Sequence, residues 1–142
     1  MNLQNSEKKI IEDDLNLAID QLISGCESLN MELAFEIFND SPDFYMMGTG
    51  GNLCDYRTYL SDNFAYLGGC ESFKLKTFNR VIHIIDKITA VFSWAYGVEA
   101  KQKTGEIDII DNAGASFFFR KINNKWKVIY YHESSFPMKR IN

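Results

Sequence analysis

The residues best suited to chemistry in this chain stand side by side near its end, His132 and Glu133. On a strand their side chains leave opposite faces, so only one of them reaches an interior. An inward histidine would serve as acid or base near neutral pH. Which of the two points inward stays open. The alternation Trp126, Val128, Tyr130, His132 makes a consistent core face, and different turn lengths at Asn123-Asn124 give opposite pairings. His83 lies within the aliphatic run Val81-Ile82-His83-Ile84-Ile85, a setting that suits a satisfied core or interface histidine. His83 and His132 are the only 2 histidines, and no pair among Cys26, Cys54 and Cys70 has CxxC spacing. No metal site is expected from such a set. Gly48-Thr49-Gly50-Gly51 lacks the lysine and helix of a phosphate loop and reads as a flexible loop.

The composition narrows the function classes. Lys and Arg number 15 against 19 Asp and Glu, for a net charge of -4. A mildly acidic surface is a poor match for a phosphate backbone, so nucleic acid is not an expected partner. No stretch approaches the ~18 apolar residues of a membrane span. The polar start MNLQNSEKKIIEDD shows no signal-peptide pattern, and an odd cysteine count suits free thiols. A cytoplasmic location is expected. The 11 Phe, 7 Tyr and 2 Trp demand a large core, a pocket or an interface.

The elements that must position these residues follow from periodicity. Helix is predicted from residue 7 to about 39, with Ser6 as cap and Glu7 in the first turn. Ile11, Leu15, Ala18, Ile19, Leu22 and Ile23 share one face. Gly25 predicts a stop or kink, and Ser28 a second cap before Met31, Ala34, Phe35 and Phe38. Phe44 to Met47 is a short strand candidate. Asp55 caps a third helix to about Leu67, with Tyr56, Tyr59, Leu60 and Phe64 along one side. Four long β-prone runs follow: Ser72–Ile85, Thr89–Lys103, Ile107–Ile122 with an interruption near Asn112–Gly114, and Trp126–Ser135. Helices first and antiparallel strands after predict an α+β fold of one domain over residues 1–142.

The closing segment Trp126 to Pro137 combines a Trp, alternating aliphatics, His132, Ser134 and Pro137. It resembles the last strand of SnoaL-like domains in the nuclear-transport-factor-2-like superfamily. The hairpin Phe117–Lys125 and the order of elements extend the resemblance over nearly the full chain. Asn79-Arg80-Val81-Ile82-His83, followed by Ala90 to Tyr96, is similar to the central hairpin of the association domain of calcium/calmodulin-dependent protein kinase. The arginines of that domain's pocket fall here on Tyr96, Phe117 and Glu133. Those positive charges are missing, so a carboxylate-seeking pocket is not expected.

The resemblance implies a cone-shaped curved antiparallel sheet with the N-terminal helices packed on its concave side. It implies that Tyr45, Tyr56, Tyr59 and Tyr96 ring the cone mouth. Enzymes of this kind place a carboxylate in the apolar cavity, and Glu133, Glu99 and Asp43 are the candidates. The expected function is a self-associating domain that binds a small, mainly neutral organic ligand in a largely apolar aromatic pocket, without a cofactor. Its ligand-binding candidates are Tyr45, Tyr59, Tyr96, Phe117, His132 and Glu133. The alternative is a cofactor-free isomerase, dehydratase or hydrolase using His132 or Glu133 as general acid or base. Phe117-Phe118-Phe119 places large apolar groups on both faces of one strand. One set needs the cavity and the other a partner, which predicts a homodimer through the convex side.

Overall fold

The first helix already shows how sequence and packing divide the work. The computed structural model describes residues 2–142. Helix α1 (Asn5–Glu27) begins where the Gln4 N–H donates to Glu7 Oε2 at 2.9 Å, so Ser6 lies inside the first turn rather than at the cap. Ile11, Leu15, Ile19, Leu22 and Cys26 form its buried stripe. Gly25 does not stop the helix. It lies where α1 meets the next helix, and a Cβ there would come within 2.4 Å of the Ala34 backbone N. Ser28 does not cap the second helix but closes the first as its C-cap, its hydroxyl donating back to the Ser24 carbonyl at 2.7 Å. Asn30 takes that role for α2 (Met31–Phe35), its side chain accepting from the Leu33 N–H at 3.2 Å. The second helix is only 5 residues long. The chain leaves helical geometry so that Ile37 and Asn39 can bond the last long strand.

Strands β1 (Tyr45–Met47) and β2 (Leu53–Asp55) flank the Gly-rich turn, and α3 (Tyr56–Gly68) follows at once. Its cap is the predicted one: Asp55 Oδ1 accepts the Thr58 N–H at 2.8 Å. The long strands are β3 (Cys70–Asp86), β4 (Thr89–Gln102), β5 (Ile107–Ile122) and β6 (Lys125–Ser135), with the short β7 (Lys139–Ile141) at the end. They form one 7-stranded sheet in the order β2-β1-β6-β5-β4-β3, with β7 on β5. All pairs are antiparallel except β1 with β6. The fold is α+β, a curved, unclosed sheet with the helices on its concave side.

Two irregularities bend the sheet. Asp111 and Asn112 lie opposite the single residue Gly97, which is the interruption expected near Asn112. The second is in β6. Asn123 and Asn124 have φ of 48° and 66°, the geometry of a tight two-residue hairpin turn. From that turn Phe119 pairs with Val128, but Phe118 pairs with Tyr130, so Ile129 is an extra, unpaired residue. The core is aromatic: Phe92, Phe117 and Phe119 on the sheet meet Phe35 and Phe38 from the helical side.

Candidate functional site

The bulge at Ile129 decides which residues of β6 meet inside. Val128 is fully buried before it, and Tyr131 is buried after it, so the inward phase shifts by one residue. Glu133 shares the Tyr131 face. His132 lies on the opposite, exposed face. The alternation running from Trp126 to His132 holds only as far as Val128.

Tyr131 and Glu133 belong to a cavity of about 280 Å³ between the concave face and the helices. Strand β4 contributes Trp94 and Tyr96, stacked on each other with ring centroids 4.1 Å apart. Helix α3 contributes Tyr59, Asn63 and Tyr66, and α1 contributes Leu22 and Cys26. Phe73, Leu75 and Met138 complete the apolar wall. The Trp94, Ala115 and Glu133 positions are successive cross-strand neighbours, and the small Ala115 leaves the floor between the two larger side chains open.

Glu133 Oε2 accepts from the Tyr131 hydroxyl at 2.7 Å. Burial raises its carboxyl above the ordinary range, partly offset by that hydrogen bond and by His132 next to it. Burial likewise pushes the Tyr59 and Tyr131 hydroxyls well above the usual phenol range, and that of Tyr96 upward too. It pushes the Cys26 thiol up to about 12, so this thiol is unreactive as a nucleophile at neutral pH. Among the described residues lining the cavity there is no lysine or arginine, and Glu133 is the one carboxylate. Arg80 sits on the inward row of β3, but its guanidinium is held by Asp20 at 2.7 Å and Asn16 at 3.2 Å on α1.

Of the residues singled out from sequence, Tyr59, Tyr96 and Glu133 therefore come together. Phe117 lies behind them, stacked on Tyr131 at 4.7 Å. Tyr45 is exposed on the outer face, paired with Tyr130, because β1 runs parallel to β6 and inherits its phase. Tyr56 packs edge-on against Phe44 at 5.7 Å, away from the cavity. Glu99 and Asp43 are exposed, and His83 and His132 both lie on the exposed side of the sheet. Sequence reasoning overlooked Trp94, Tyr131, Tyr66 and Cys26. Tyr131 was within reach, since it stands two places before Glu133 on the same strand face.

One further buried group borders this site. Asp108, 1% exposed, accepts from Tyr66 at 2.7 Å, from Gln102 at 2.9 Å and from Arg140 through Nε at 2.6 Å and Nη2 at 2.9 Å. The Arg140 hydrogen bonds hold its carboxyl at about 2, against the pull of burial. The cluster fixes a cavity tyrosine and the last strand to β5.

The outer face differs in character. Val81, Ser93, Ser116 and His132 form one cross-strand row, and His83, Val91, Phe118 and Tyr130 the next. Phe118 meets Tyr130 edge-on at 5.3 Å. Val81 is 57% exposed and Phe118 36%. A shallow depression of about 350 Å³, floored by Ser93, Ala95, Gly114 and Ser116, has His132 at its rim.

A curved sheet wrapped round an aromatic cavity, with helices on its concave side, is the nuclear-transport-factor-2-like fold. The chain belongs to the calcium/calmodulin-dependent protein kinase II association domain family, whose profile matches residues 12–137. A candidate member of that family from Xanthomonas campestris is similar with a TM-score of 0.70 at 20% identity, over 87% of this chain and 86% of that one. A candidate scytalone dehydratase from Novosphingobium aromaticivorans reaches a TM-score of 0.84 at 8% identity, over 98% and 93% of the two chains. A hexachlorocyclohexane dehydrochlorinase from Novosphingobium barchaimii gives 0.78 at 9% identity, over 97% and 94%. At such identities the likeness speaks for the fold alone. No curated protein matches at the level of sequence.

Proposed function

We propose that this protein is a self-associating domain whose cavity binds a small, largely apolar molecule that carries no negative charge. The observation that carries this reading is Glu133, the one carboxylate in an aromatic cavity whose described lining residues include no lysine or arginine. A carboxylate ligand would enter against that charge with no cation to meet it, at a cost of several kcal/mol. Tyr59 and Tyr96 are the hydroxyl-bearing walls that orient the guest. Thermal shift against matched sets of small aromatic alcohols, amides and acids tests this. Stabilisation by the neutral members is expected, and stabilisation by the acids alone would overturn it.

Self-association is supported by the family and by Val81, Val91, Phe118 and Tyr130, the apolar groups grouped on the outer face. We assign the interface to that convex side, in a homodimer. The three cysteines are free, which suits the reducing cytoplasm. No helix of the described residues is long and apolar enough to cross a membrane.

A second reading is favoured by the 2.7 Å contact between Tyr131 and Glu133. A buried carboxylate with a raised proton affinity, held by a tyrosine, is suited to cofactor-free proton transfer of the isomerase or dehydratase kind. A benzisoxazole probe, whose ring opens on removal of one carbon-bound proton, reports on such a base directly. Glu133→Gln would lower its turnover by about 10²-fold or more if this reading holds. Equal rates for the two proteins would remove it.

A further inference from the structure

Four hydrogen-bond donors on the cavity walls are already committed. The Trp94 indole N–H donates to Thr77 Oγ1 at 3.0 Å. The Tyr66 hydroxyl donates to Asp108 at 2.7 Å, and the Tyr131 hydroxyl to Glu133 Oε2 at 2.7 Å. Asn63 Nδ2 donates to the Tyr59 carbonyl at 2.8 Å. The acceptors are less fully used: among the described residues no protein hydrogen bond reaches Glu133 Oε1. The Tyr59 and Tyr96 hydroxyls can take either role. A guest that brings a donor meets the unused acceptor Glu133 Oε1.

The charge points the same way. Glu133 is half-buried beside Tyr131 with no cation of the protein's own among the lining residues. The walls around it present Trp94, Tyr96, Tyr59 and Phe35, rings that attract a cation by their electron-rich faces. The net charge of -4 favours the approach of positive ligands over negative ones. We infer that the cavity is a site for a small organic ammonium ion, an aryl or alkyl amine whose N–H groups bond Glu133 Oε1 and whose apolar part lies against Trp94, Tyr96 and Leu75. The inference rests on the reading of this cavity as a binding site, and it narrows the uncharged-or-cationic class to the cation.

The pairing has a pH signature. The groups that face Glu133 are Tyr131 on its own strand, Tyr96 on β4, Tyr59 on α3 and Cys26 on α1, with His132 adjacent in sequence but on the other face. The hydroxyls and the thiol stay neutral through the neutral range, because burial raises each of them. Glu133 is therefore the cavity group that ionises as pH rises. An ammonium guest binds the ionised form, so its affinity climbs as Glu133 loses its proton and then levels off. A neutral guest that needs no carboxylate charge shows no such climb.

The test uses the full chain and three probes of one shape: benzylamine, benzyl alcohol and benzoate. Titration calorimetry of the wild type near pH 7.5 should find benzylamine at least about tenfold tighter than benzyl alcohol, with benzoate weakest. From pH 4.5 upward the benzylamine affinity should rise while the benzyl alcohol affinity does not. In Glu133→Gln the preference for the amine should fall to within about threefold. The comparison of probes and the pH series need no variant, so they decide the matter even if Glu133→Gln folds poorly. Equal binding of amine and alcohol, or an amine affinity flat with pH, would overturn the ammonium inference and leave the binding cavity standing. If none of the probes binds, the cavity reading falls as well.

Discussion

Tyr131 and Glu133 lie two residues apart on β6 and point to the same side of the sheet, and the Tyr131 hydroxyl donates to Glu133 Oε2 at 2.7 Å. His132 between them points the other way, into the rim of the outer depression. Because Ile129 is unpaired, the pair sits beneath α1 and α3 instead of facing solvent. The one carboxylate of the cavity is half-buried there.

That burial makes stability depend on pH with a definite sign. Burial raises the Glu133 carboxyl above its unfolded value near 4.5. Between those two values the folded chain keeps a proton that the unfolded chain has released, so stability falls as pH rises through the window. Glu133→Gln should melt a few degrees above the wild type near pH 7.5. The difference should close below about pH 4, where both states hold the proton. Melting curves at the two pH values check this, and a gap unchanged in acid would contradict it.

Asp108 has the opposite sign. Its carboxyl is held at about 2 by Arg140, below the ordinary 3.8, so its contribution is present above 3.8 and drains away as pH falls toward 2. Asp108→Asn should cost about 2–4 kcal/mol at neutral pH, because Arg140, Tyr66 and Gln102 all lose their acceptor charge. Urea midpoints from pH 2 to 5 should show a flatter acid limb in the variant than in the wild type. Hydrogen exchange should also report faster opening of β7.

Gly25→Ala should destabilise by about 1–3 kcal/mol, although alanine is the better helix former. The added Cβ would meet the Ala34 backbone N at 2.4 Å, and backbone cannot rotate aside. Equal melting temperatures would mean that α1 and α2 separate freely.

Trp126 packs against the core but is only half-buried, and its indole N–H has no partner among the described residues. Trp126→Phe removes that stranded donor and keeps most of the ring. It should fall within about 1 kcal/mol of the wild type, on either side. A loss above about 2 kcal/mol in urea unfolding would point to a partner for the N–H.

Phe118→Asp places a charge between Val91 and Tyr130 on the outer face. It should convert a particle of twice the 16.4 kDa chain mass into one of that mass by light scattering, with the fold intact by circular dichroism. A dimer that survives the change would move the interface off this face.

The local signals in this sequence read true where the chemistry was itself local. Asp55 caps α3 because its carboxylate needs only the N–H of Thr58. Asn123-Asn124 makes the tight turn because both residues tolerate positive φ. The runs Asn79–His83 and Ala90–Tyr96, with His132 and Ser134 in the last strand, carried the family. The inward placement of Glu133 was beyond such signals. A strand's period of two leaves its phase free, and here the phase shifts at Ile129. Beside that point the free edge of Val128 bonds Ile37 and Asn39, its N–H to the Ile37 carbonyl at 2.7 Å and its carbonyl from the Asn39 N–H at 2.9 Å. Those partners come from a distant part of the chain, as Arg140 does for Asp108. Alternation in the sequence determined that Tyr131 and Glu133 share a face. Pairing between distant segments decided that the face is the inside, because only the assembled sheet sets which residue carries the bulge.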